Sequence, residues 1–108
     1  MNDYTEAAWQ ADVIRLAKMH HWMVFHPRKM QDRNGEWRTS LSGDAGFPDL
    51  VLVSKRRQGV IFAELKSAKG RLDEKQIDWL RTIDYNGAEC YVWRPNDLKF
   101  VVERLSRK

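Results

Sequence analysis

The sequence predicts an α/β fold on a mixed sheet, in the order helix, three-strand meander, helix, strand, helix. Three observations lead to it. Two apolar, β-branched-rich runs within residues 46–53 and 59–66, bounded by Gly and Pro, read as buried strands joined by a turn. Trp9, Val13, Leu16, Ala17 and His20 recur at helical spacing before them, as do Ile77, Leu80 and Ile83 after them. A further apolar run at 88–93 completes a strand–helix–strand pattern, the signature of a right-handed parallel crossover.

The first helix is expected over about residues 6–20, with Thr5 as N-cap and Glu6 where the helix dipole favours an acid. Gln10 lies four residues on and shares a face with Glu6. Residues 23–26 alternate well enough for a first strand. His20, His21 and His26 lack the His-x-x-x-His spacing and the cysteines of a zinc site. His26, near a strand end, reads as an exposed histidine or a phosphate contact.

Residues 27–47 form the least regular part and are expected to be a long loop. Arg28, Lys29, Arg33 and Arg38 interleave there with Trp37, which fits a segment that meets nucleic acid or is simply solvated. The turn between the central strands carries Lys55, Arg56 and Arg57, a run that usually marks a solvated turn. Asp73 followed by Gln76 resembles a capping box opening the second helix, and Asn86-Gly87 closes it. After Pro95, the spacing of Leu98, Val101, Val102 and Leu105 predicts a final packing helix.

Bulk properties narrow the function. A length of 108 residues suits one domain with a modest core, and 43% hydrophobic residues argue against disorder. A net charge of +4 suits a polyanionic partner, with a merely basic soluble protein as the alternative. Cys90 is the single cysteine, which excludes an intrachain disulfide and fits a reducing cytoplasm. No apolar stretch approaches the roughly 20 residues of a membrane span, and the N-terminus lacks signal-peptide character. No membrane partner and a cytoplasmic location are therefore expected.

The chemistry concentrates at the ends of the two central strands. In an antiparallel hairpin the start of one strand lies beside the end of the other, so Asp49 should adjoin Glu64 and Lys66. Alternation puts Glu64 and Lys66 on one face. Two carboxylates together at the edge of an apolar sheet repel. A hard divalent cation such as Mg²⁺ reverses the sign of that repulsion and acidifies water. Lys66 is then placed to position water or to stabilise charge on a phosphate. Lys69 and Arg71, just beyond, are the nearer candidates for phosphate contact.

Pro48-Asp49 followed by Glu64-Leu65-Lys66 resembles the PD-(D/E)xK nuclease signature. Gly46-Phe47-Pro48-Asp49-Leu50, with the Glu64-x-Lys66 pair and Gln76, resembles the virus-type replication-repair nuclease (VRR-NUC) branch more closely. The likeness runs from Glu6 to about Trp93. It implies a restriction-endonuclease-like αβββαβ core with a C-terminal helix, hydrolysing DNA phosphodiesters with Mg²⁺ or Mn²⁺. It further implies that Asp49, Glu64, Glu6 and the Leu65 backbone carbonyl bind the metal, and that Lys66 orients or activates water. Gln76 is implied to stand close to the catalytic centre, and Gln10 matches less firmly. With no extra domain in view, the chain resembles small stand-alone phage and bacterial members. These are thought to act as dimers or higher oligomers on branched DNA such as four-way (Holliday) junctions. No nucleotide cofactor is expected. The alternatives are a flap, nicking or restriction-type nuclease, a non-catalytic DNA-binding module, or a structural protein whose charged strand ends form an ion pair.

Overall fold

The computed structural model describes residues 4–27, 30–31, 33–35, 37–38 and 42–107. The elements are α1 (Glu6–Met19), β1 (Trp22–Phe25), β2 (Met30–Gln31), β3 (Trp37–Arg38), β4 (Leu50–Ser54), β5 (Val60–Leu65), α2 (Glu74–Tyr85), β6 (Glu89–Trp93) and α3 (Leu98–Ser106). A single 3₁₀ turn, Pro95–Asp97, leads into α3. The main sheet runs in the order β1-β4-β5-β6. Its first three strands are antiparallel and β6 is parallel to β5, as the crossover through α2 requires. The predicted mixed-sheet α/β architecture with a C-terminal helix is therefore present, compatible with a restriction-endonuclease-like fold.

The two faces of the sheet are covered differently. Leu50, Leu52, Ile61, Ala63, Leu65 and Trp93 are buried against Trp9, Val13 and Ala17 of α1 and Val101 and Leu105 of α3. The Trp22 indole N–H donates to the Leu105 carbonyl at 2.9 Å, so β1 is tied to the end of α3. On this face Arg104 makes two hydrogen bonds to Glu89, at 2.5 and 2.7 Å. The guanidinium holds Glu89 below the usual carboxylate range, against the opposing effect of burial. The opposite face carries α2, through Phe47 set edge-on between Phe62 and Trp79. α2 leaves the β1 side of that face open, and Met23, Phe25, Val53 and Val60 are exposed there. No helix among the described residues is long and apolar enough to cross a membrane.

One expectation needs correction. The stretch expected to be an irregular loop contains a small antiparallel hairpin, with Met30 opposite Arg38 and Gln31 opposite Trp37. Asn34-Gly35 lies between the two strands and Gly35 has φ 81°. Glycine takes positive φ without the steric cost that a Cβ brings, so Gly35 suits the reversal. The connection is longer than the two-residue turn that a sequence pattern would signal.

α1 begins as expected, with the Thr5 side chain accepting the Ala8 N–H at 3.1 Å. It ends at His20, and His21 then takes φ 68° to turn the chain into β1. A side chain with a Cβ is disfavoured in that left-handed region, where glycine is not. His21→Gly should therefore raise stability by about 0.5–1 kcal/mol. Urea denaturation checks it, and an unchanged or lower midpoint would show that the His21 ring supplies compensating contacts.

Candidate active site

The register of β4 and β5 assembles the site. Leu50 faces Ala63, so the next position outward sets Asp49 against Glu64. Asp49 completes the ladder with its side chain: Oδ2 accepts the Leu65 N–H at 2.9 Å. Its backbone carbonyl lies 2.9 Å from His26 Nδ1, and since a carbonyl only accepts, that nitrogen carries the proton. Pro48, just before, is fully buried and brings no N–H needing a partner.

Glu64 is 2% exposed. Its Oε2 accepts from Gln76 Nε2 at 3.1 Å and lies 3.6 Å from Lys66 Nζ. Its Oε1 is buried with no hydrogen-bond partner. Burial, and then the neighbouring Asp49 charge, push the Glu64 carboxyl up to about 8, and Lys66 offsets this only in part. Lys66 itself is 12% exposed, and its backbone N–H donates to the Trp93 carbonyl at 3.1 Å.

Gln76 caps α2 and also reaches Glu64. Its backbone N–H donates to Asp73 Oδ1 at 2.9 Å and its Oε1 accepts the Asp73 N–H at 3.0 Å, which is a complete capping box. The remaining amide nitrogen reaches Glu64. The cap thus fixes the amide so that its N–H points toward the site.

Gly46 brings the Asp49 loop to that same helical turn. It has φ 98°, and a Cβ there would come within 2.6 Å of the Lys75 carbonyl carbon and 2.9 Å of the Gln76 nitrogen. Backbone meets backbone, and no side chain fits between. The Trp79 indole N–H donating to the Asp44 carbonyl at 3.2 Å and the packing of Phe47 hold the loop on α2.

The other residues named from the sequence fall into three groups. Glu6 is half-buried in the first turn of α1. The Trp9 indole N–H, one turn on, donates to the same Trp93 carbonyl that accepts from Lys66, which brings this part of α1 to the Lys66 end of β5. Among the described residues no three His, Cys, Asp or Glu side chains are grouped to hold a metal ion, so the acids brought together are Asp49 and Glu64. Lys69 and Arg71 are exposed on the loop between β5 and α2. Arg28 and Lys29 lie outside the described residues, and Arg38 lies in β3. The basic turn at 55–57 is at the far end of the hairpin, where Arg57 donates to the Leu105 carbonyl at 2.9 Å. Sequence reasoning passed over the His26 contact and also Arg94, whose guanidinium holds the loop after Lys66. A polar residue just past a strand end was the one available signal for each.

A mixed sheet bearing an acid pair and a lysine at one end, with a glutamine from the following helix, is compatible with a restriction-endonuclease-like domain. The family model described as VRR-NUC domain matches residues 28–96. That is more than half of the 108 residues, and the chain belongs to the VRR-NUC family, a family of nucleases, which implies DNA as substrate. No curated protein and no solved structure matches the chain.

Two expectations follow from the geometry. With its carboxyl pushed up to about 8, Glu64 should keep its proton in the folded protein, whereas the unfolded chain should lose it near the ordinary 4.5. The folded state binds more protons across that window, so in EDTA stability should fall as pH rises from 4.5 to about 8 and level off above it. Glu64→Gln should flatten that fall and melt higher than the wild type at pH 8. Thermal melts across the range decide it, and equal slopes for both proteins would mean that Glu64 is not the group responsible.

For the loop, Gly43 provides a control, because it has φ 108° with nothing within 4 Å of a Cβ. Gly43→Ala should cost only backbone strain, about 1–3 kcal/mol. Gly46→Ala should cost more and should also lower cleavage at temperatures where both variants are folded. Equal effects on stability and rate would show that the contact with α2 does not position Asp49.

Proposed function

We propose that this protein is a Mg²⁺- or Mn²⁺-dependent DNA endonuclease, acting on branched DNA such as four-way junctions as a homodimer or higher oligomer in the cytoplasm. One observation carries the catalytic part: Glu64 is buried beside Asp49 with one oxygen unpartnered. Two ionised carboxylates so placed are costly, and a cation, like the proton that Glu64 otherwise keeps, relieves the pair. The donor set is all carboxylate, which fits a hard divalent ion, with Glu6 and the Leu65 carbonyl as further candidate ligands. When bound, such a cation supplies positive charge to a phosphodiester and lowers the pKa of nearby water.

The chain's own residues have separate tasks. Gln76 and Lys66 engage Glu64 Oε2 and leave Oε1 for the cation. Asp49 presents its second carboxylate oxygen while Oδ2 stays on the Leu65 N–H. At 3.6 Å the Lys66 ammonium is only loosely paired with Glu64. It can turn to orient the attacking water or to stabilise charge on the phosphate. Water forms the new bond to phosphorus as the bond to one sugar oxygen breaks, and that oxygen takes up a proton. Lys69 and Arg71 hold the flanking backbone. The exposed apolar strip of Met23, Phe25, Val53 and Val60 supports self-association, since surface of this kind is commonly covered. A two-fold pair would set two sites on two strands of a symmetric junction.

Labelled four-way junction, flap, linear duplex and single strand, each with Mg²⁺, Mn²⁺ or EDTA, test the reading. Lys66→Ala and Asp49→Asn should each lower metal-dependent cutting by about 100-fold or more. Cutting of all substrates alike would remove the junction preference and keep the nuclease. Folded protein that binds DNA yet cuts nothing would point to a binding module.

A further inference from the structure

We propose that Arg94 is a DNA backbone-phosphate contact at the β6 side of the site; this rests on the nuclease reading above. Leu65 faces Trp93 across the parallel β5–β6 pair, so Arg94 comes level with Lys66. The Lys66 N–H on the Trp93 carbonyl fixes that alignment. Arg94 thereby extends the row of polar residues along one end of the sheet: His26, Asp49, then Glu64 with Lys66, then Arg94.

The guanidinium is held in place. Nη1 donates to the carbonyls of Ser67 and Gly70, both at 2.7 Å, which uses both of its N–H bonds. The Ser67 carbonyl also accepts the Gly70 N–H at 3.3 Å, so the turn is closed on itself. A Cβ at Gly70 would stand 3.0 Å from Ser67 Oγ, which leaves little room to change it. Arg94 thus anchors the turn that carries Lys69 and leads to Arg71.

Nε and Nη2 make no hydrogen bond to a described residue. They retain three N–H donors in a planar fork, the geometry that suits a phosphate. The charge is also unneutralised. Among the described residues no carboxylate pairs with the Arg94 guanidinium, and Asp97 Oδ2 is engaged by the Arg94 backbone N–H at 2.8 Å. Arg104 shows the contrast, with its guanidinium matched to Glu89 on both sides. A half-buried guanidinium that rests only on backbone carbonyls lacks a counter-anion, and a phosphate beside Lys66 supplies one.

Arg94→Gln tests this by fluorescence anisotropy with labelled duplex in EDTA, over a series of salt concentrations. The expected result is a normal melt, affinity lowered about 5–20-fold, and a log K against log salt slope shallower by about 0.9, one phosphate contact. Unchanged affinity would overturn the proposal. So would lost affinity with an unchanged slope, which would mean that the turn moved without a phosphate contact being lost. Because Arg94→Gln can loosen the turn, a second measurement uses the wild-type protein. The Arg94 Nε–H resonance in a ¹H–¹⁵N spectrum, assigned by its absence in Arg94→Gln, should move when duplex is added. A resonance unmoved at saturating duplex would overturn the assignment. Wild-type protein that cuts DNA while Arg94 fails these tests removes the Arg94 contact alone, whereas wild-type protein that neither binds nor cuts removes the nuclease reading with it.

Discussion

The pairing of Leu50 with Ala63 sets the geometry at this end of the sheet. Strand side chains alternate, so a slip of one residue would turn Leu50 and Leu52 out of the core and move Asp49 away from Glu64. Leu50, Leu52, Ile61 and Leu65 are all fully buried on one face. Four such side chains at about 1.5–3 kcal/mol each outweigh the several kcal/mol that a buried ion costs. The apolar face therefore fixes the register, and the acidic pair is carried along on the other face. Chemistry that is unfavourable in isolation is imposed by packing a few ångströms away.

The helix that follows supplies the second constraint. α2 crosses from β5 to β6 and must begin beside the end of β5. Its capping box fixes Gln76, and the bare backbone of Gly46 lets the Asp49 loop lie against the same turn. The three groups nearest Glu64 thus arrive from three different local structures: a strand entry, a strand exit and a helix cap. None depends on a long flexible side chain finding its place, apart from Lys66.

This division explains what could be read in advance. Asp49, Glu64 and Lys66 were legible because period-two alternation and hairpin pairing are local rules. Gln76 was legible as a cap or as a site residue, and only the three-dimensional arrangement shows that its oxygen does one job and its nitrogen the other. His26 and Arg94 were not legible as partners of the site. Their contacts, with the Asp49 carbonyl and with the carbonyls of Ser67 and Gly70, join backbone groups distant in sequence and leave no periodic trace. The approach of Gly46 to Lys75 and Gln76 was hidden in the same way, since one more glycine in a glycine-containing loop says nothing about what it touches. Glu6 shows the reverse. A resemblance points to it strongly, yet helix position alone brings it near the Lys66 end of β5 without grouping it with the two acids.

The charge distribution completes the argument. A net charge of +4 is modest, and by itself it does not separate a nucleic-acid enzyme from any basic protein. Placement is more informative. Arg57 lies over the Trp22 ring and donates to the Leu105 carbonyl, so that part of the basic turn is engaged in joining β4, β5 and α3. Arg104 is neutralised by Glu89 on the same face. At the other end of the sheet, Lys66 is loosely paired with Glu64, Lys69 and Arg71 are exposed on the loop that follows, and the Arg94 guanidinium is held by carbonyls rather than by acids. Under the proposed reading, a divalent ion would answer the carboxylates and a phosphate the basic groups. A phosphodiester bound with a divalent ion would supply both together, so the proposed substrate would complete this strand end electrostatically.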